Sequence, residues 1–239
     1  MPLILPYSGL IKAKPGGTSV TATNVDPLDV FNDDATDRSA YTFDVPAGDG
    51  GLVAVCYAGN EANASNAASV SSVTIDGQTA TNLSIAASGA GSALVGLSYA
   101  TGVSSGTVEV VVTLSDTLQE LIWCAWQIAG HTSSTPHDTL VTSDTGGVND
   151  FVSGIINIPD GGCCIAWGIG NYVETGDNVA WTGLTETAET RGNLGLQTST
   201  ASNSSMSSES NRTITATFSS PTAGEAEAAD LHLIAISWG

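Results

Sequence analysis

The feature that most constrains this chain is a two-residue hydrophobic period. Across Val108-Glu-Val-Val-Val-Thr-Leu114, the even positions Val108, Val110, Val112 and Leu114 share one face. In Thr213-Ile-Thr-Ala-Thr-Phe218, Ile214, Ala216 and Phe218 point one way and the threonines the other. Side chains alternate across a strand, whereas a helix needs apolar residues three and four apart. No segment of helical length carries such a stripe. Val73 and Ile75 alternate with Thr74, and Asp76-Gly77 then turns the chain. That pair predicts a hairpin, because both residues tolerate positive φ. Further strands are predicted over 40–45, 51–58, 93–99, 120–128, 151–158, 163–170, 192–198 and 230–238. The expected fold is all-β, an antiparallel β-sandwich.

Composition points the same way and excludes several functions. Of the 239 residues, 41% are hydrophobic and only 12% charged. Ser, Thr, Gly and Ala stand where a helical protein carries long charged side chains. The net charge is -19, from 24 acidic and 5 basic residues. A nucleic-acid partner needs a basic footprint, and an anionic membrane surface would repel this chain, so neither is expected. Such charge favours solubility and suits a saline milieu, where salt screens self-repulsion. Cys56, Cys124, Cys163 and Cys164 lie in apolar runs and read as buried thiols, which fits folding in a reducing compartment. Adjacent Cys163 and Cys164 should face opposite ways. The start, Met1-Pro-Leu-Ile-Leu-Pro, lacks the basic region of a signal peptide.

The chain repeats itself weakly. Val45-Pro-Ala-Gly-Asp-Gly-Gly leads into an apolar strand ending at Gly59-Asn60, and Ile158-Pro-Asp-Gly-Gly into one ending at Gly170-Asn171. Each half closes with an apolar strand, and these align without gaps, Ala125 on Ala235 and Trp126 on Ile236. With four to six strands apiece, neither half is expected to close a core alone, so the two should share one. The closing strands are apolar on both faces, which fits either a central position or a subunit interface. Residues 1–39 read as an arm to about residue 18 followed by an irregular lead-in or edge strand, and 40–239 as one sandwich domain. Ser199–Asn211 reads as a polar loop that adds little to a core.

The arm offers Leu3, Ile4, Leu5, Tyr7, Lys12 and Lys14 as partner-binding residues, a basic segment on an acidic body. Asp29, Asp33, Asp34 and Asp37 form an acidic cluster, with Asn32 among them, that could ligate calcium through hard oxygens. Their spacing matches no EF-hand loop, and a solvated loop explains them as well. His131, His137 and His232 lack zinc spacing. No Gly-x-Ser-x-Gly elbow or phosphate-binding glycine loop occurs. Nothing selects one carboxylate pair for glycoside hydrolysis among so many acids. No catalytic residue and no cofactor are therefore assigned, and an enzyme is not expected.

A Pro-Gly-Gly-type lead into a buried strand is followed by Val70-Ser-Ser-Val-Thr-Ile-Asp-Gly-Gln-Thr-Ala, then Leu97-Ser-Tyr-Ala-Thr-Gly and Gly106-Thr-Val-Glu-Val-Val-Val-Thr-Leu-Ser. This order, over residues 40–239, resembles jelly-roll-like β-sandwich modules of tailed-bacteriophage virion proteins and bacterial surface proteins. The resemblance implies a virion structural protein assembled in the host cytoplasm. It would be a head decoration (cement) protein that binds the major capsid protein or other virion proteins, as a homo-oligomer with a trimer favoured. It carries over no site residues. The alternative is a tail-fibre or receptor-binding module that recognises host-surface glycan, for which Tyr172, Trp181 and Trp238 are candidate aromatics.

Overall fold

The computed structural model describes residues 19–32, 41–46, 51–61, 68–86, 93–115, 118–144, 150–171, 178–192, 195–219 and 230–239. Their regular structure is all strand. The first half holds β1 (Thr21–Asn32), β2 (Tyr41–Val45), β3 (Leu52–Glu61), β4 (Val70–Ile75), β5 (Gln78–Thr79), β6 (Thr81–Ile85), β7 (Ala93–Ala100), β8 (Gly106–Leu114) and β9 (Leu118–Ala129). The second holds β10 (Asp138–Asp144), β11 (Phe151–Ile158), β12 (Gly162–Asn171), β13 (Asn178–Thr182), β14 (Thr185–Arg191), β15 (Leu196–Met206), β16 (Glu209–Ser219) and β17 (Leu231–Trp238).

Both halves wrap in the same nested order. In the first, β1 pairs with β9, β2 with β8, β3 with β7 and β4 with β5. The sheets run β1-β9-β3-β7-β6 and β2-β8-β4-β5. In the second, β10 pairs with β17, β11 with β16 and β12 with β15, giving β10-β17-β12-β15-β14 and β11-β16-β13. First strand against last and second against penultimate is the wrap of a jelly roll. The protein is thus a tandem of two jelly rolls.

Four sheets enclose three apolar layers among the described residues. One lies inside the first half, where Tyr57, Trp123 and Val55 meet Phe43, Val73 and Val110. Another lies inside the second, where Ala166 and Leu233 meet Ile156, Ile214 and Phe218. The third is shared: Cys56, Ile122 and Trp126 of the first half pack on Ile165, Trp167, Ile236 and Trp238 of the second. The expected shared core is present, but the expectation that neither half could close a core alone is overturned. The reason is strand number, because β6, β10, β13 and β14 complete each wrap.

The apolar closing strands are central. Even-numbered residues of β9 from Ile122 to Ile128 face the shared layer, while Leu121, Trp123 and Ala125 face the first half's own core. β17 does the same with Ile234, Ile236 and Trp238 against Leu231, Leu233 and Ala235. Of the two readings left open, the interior one holds. Asp76 and Gly77 turn the β4–β5 hairpin at φ 52° and 71°, as the Asp-Gly pair required.

A polar rim fastens the halves. The Val20 amide donates to Gly161 O at 2.8 Å, and Ser205 N donates to Val20 O at 3.0 Å. Ala22 N donates to Ser204 Oγ at 2.9 Å, and the linker residue Thr132 donates from N to Gly239 O at 2.8 Å. The buried Glu120 of β9 reaches so close to Gly192 that a Cβ there would lie 2.0 Å from its Oε2.

One reading is corrected at Ser199–Asn211. β15 continues to Met206 and β16 begins at Glu209, so the loop between them is two residues long. Ser199, Thr200 and Ala201 are buried because β12 and β14 pair with β15 from both sides and consume its backbone polar groups.

Candidate functional site

The two sheets of the second half are unequal: five strands face three. β13 ends the smaller sheet, so the inner face of β14 and β15 extends beyond it as a polar ledge. Glu186 and Glu189 of β14 share this ledge with Gln197 and Ser199 of β15. Three-residue spacing normally puts two strand residues on opposite faces. A register shift between Glu186 and Ala188 returns both carboxyls to one side.

The ledge is tightly hydrogen-bonded. Gln197 Nε2 donates to Glu189 Oε1. The Val179 amide, on the edge of β13, donates to the same Glu189 oxygen at 3.2 Å. Ser199 Oγ donates towards Glu186 Oε1 at 3.2 Å and accepts from Trp181 Nε1 at 2.8 Å. Burial, and then the neighbouring Glu186 carboxyl hydrogen-bonded to it, pushes the Glu189 pKa up to about 7. Near neutrality Glu189 is therefore partly protonated. Chemically the ledge is an acidic latch, in which Glu189 of β14 takes an amide of the facing sheet.

The residues singled out from sequence are dispersed. Leu3, Ile4, Leu5, Tyr7, Lys12 and Lys14 lie outside the described residues, as do Asp33, Asp34 and Asp37. Asp29 lies in β1, opposite Trp123 of β9. Among the described residues, no three His, Cys, Asp or Glu side chains converge as a metal site would require. His137 is exposed beside a cleft of about 500 Å³ lined also by Thr132, Pro136, Asp160 and Gly239. His232 is buried in β17, and desolvation lowers its pKa.

Of the aromatics considered for glycan, Trp238 is fully buried in the shared layer, which corrects its candidacy. Trp181 is half-buried, with its ring against Gly168 and its indole N–H on Ser199. Tyr172 lies outside the described residues. All four cysteines are buried and free, Cys163 in the shared layer and Cys164 in the second half's own core. Desolvation pushes the Cys124 and Cys163 thiols up to about 12, far from a reactive thiolate.

The ledge escaped sequence reading, since nothing marks Glu186 and Glu189 among 24 acids. Of the outer face of the β11-β16-β13 sheet, only the threonine row of β16 was legible. Thr213, Thr215 and Thr217 alternate with the buried Ile214 and Ala216, and Phe151 and Ile155 of β11 stand exposed beside them.

No protein-family model matches the chain, and no curated protein matches it.

Proposed function

We propose that this chain is a non-enzymatic structural protein of a tailed-phage virion surface, a head decoration protein that binds the capsid shell. The observation that carries the reading is how the apolar surface is used. The halves consume their inner faces against each other, and among the described residues each half turns its second sheet outward. A tandem of jelly rolls suits a surface-covering role, and the jelly roll recurs among viral capsid and lectin domains. That fold-level likeness is an analogy, joined here to the sequence resemblance. The acidic latch, below neutral pH, and the unreactive thiols serve stability in this reading. The partner is the major capsid protein or another virion protein.

Cosedimentation with particles that lack the chain tests the proposal. Saturable binding to intact shells, with added density on the shell in electron micrographs, is the expected result. Density on the tail, or no binding to any particle, would overturn it.

A further inference from the structure

We propose that a second copy of this chain docks on β11, edge to edge about a two-fold axis through Ser153, joining the outer sheets of two copies into one. The inference goes beyond the virion reading and does not depend on it.

β11 is an edge strand, paired only with β16. It carries two of the three exposed large hydrophobic side chains among the described residues, Phe151 at 44% and Ile155 at 57% exposure. An edge presents unpaired backbone groups, and proteins usually guard edges with charge or proline. Of the other edges, β5, β6 and β13 also lack charge and proline but expose no large hydrophobic side chain, and three more are guarded in that way. β1 carries Asp26 and, at Pro27, lacks a backbone donor, β10 carries Asp138 and Asp144, and β14 carries Glu186, Glu189 and Arg191. β11 has no charged residue and no proline. Asp138 Oδ2 takes the Asn157 amide at 2.8 Å, which closes one end and leaves 151–155 for pairing.

Charge says which partner fits. Two copies each bearing -19 repel unless they meet through neutral surface. The face that includes β11 is neutral, because Ser153, Thr213, Thr215, Thr217, Ala180 and Thr182 accompany Phe151 and Ile155 on it. The strand is also self-complementary. Antiparallel pairing centred on Ser153 sets Phe151 of one copy opposite Ile155 of the other, and the reverse. Such aromatic–β-branched cross-strand pairs stabilise a ladder. A contact in which the same residues serve both sides is isologous and closes at two. The trimer expected from the resemblance would need a different contact.

The test is sedimentation of the full chain under reducing conditions. At micromolar concentration the wild type should sediment as a dimer, more completely as salt is raised. Ile155→Asp should be monomeric with an unchanged circular dichroism spectrum. With every native cysteine buried, Ser153→Cys should cross-link two copies on mild oxidation. Thr215→Cys, one strand further from the axis, should not. A wild type that stays monomeric overturns the proposal. So does an Ile155→Asp chain that stays dimeric, or a Thr215→Cys chain that cross-links as readily as Ser153→Cys.

Discussion

The two jelly rolls solve one packing problem differently at matching positions. Across the first half's inner sheet runs the row Trp123, Tyr57, Gly96, Ser84. The same row in the second half is Leu233, Gly168, Ser199, Glu189. In the first, Tyr57 covers Gly96 with its own ring, and its hydroxyl donates to Asn82 Oδ1 at 2.6 Å. In the second, the tyrosine position is Gly168, and Trp181 reaches across from the facing sheet to cover it. Its indole N–H then lands on Ser199. The space is conserved by the wrap, while the filler comes from either sheet. What changes is the polar margin: an amide and hydroxyls in the first half, two carboxyls in the second.

The shared layer should bind the halves into one cooperative unit. Trp126→Ala removes a fully buried indole from the surface between them. The expected loss is about 3–5 kcal/mol, the usual cost of truncating a large core aromatic. Urea unfolding followed by tryptophan fluorescence and by circular dichroism should show one earlier transition by both probes. Two separated transitions, with one half untouched, would make the halves independent domains.

A smaller effect separates the two fillers. A Cβ at Gly96 would lie 2.2 Å from the Tyr57 ring, which is fully buried and has nowhere to go. Gly96→Ala should cost about 1–3 kcal/mol, as overpacking does. At Gly168 the Cβ would lie 3.0 Å from Ala216 Cβ and from the Trp181 ring, which is half-buried and can yield. Gly168→Ala should cost less, on the order of 1 kcal/mol. Equal midpoint shifts in urea for the two variants would mean that Trp181 is held as rigidly as Tyr57.

Much of the fold was legible because burial on one face leaves a two-residue trace. β8, β9, β11, β12 and β17 fall where alternation or apolar runs put them. β6, β10, β13 and β14 did not announce themselves. Each is short or lies at a sheet edge, where exposure weakens the hydrophobic signal. The polar half of β15 misled for the opposite reason: its serines and threonines are interior but satisfied by hydrogen bonds, such as Thr200 Oγ1 to Ala188 O. The Glu186–Glu189 pair was illegible because a bulge, which no alternation rule foresees, carries both side chains to one face.

That pair provides the mildest and most specific contrast between the halves. The folded Glu189 pKa of about 7 stands above its ordinary 4.5. The native state therefore binds more protons than the unfolded chain between those values. Its contribution is fully present below about pH 4.5, falls as pH rises towards 7, and is lost above that. Glu189→Gln keeps an acceptor for the Val179 amide and a donor for Glu186 while removing the charge. It should match the wild type at low pH and exceed it above pH 7. Because the ledge is partly open to solvent, the gain should be on the order of 1 kcal/mol, well under the unscreened linkage value. The matching position, Ser84, has nothing to titrate, so Ser84→Ala should shift stability equally at all pH. Urea midpoints measured from pH 4 to pH 9 would decide it. A Glu189→Gln chain whose profile parallels the wild type would remove the proton from the latch.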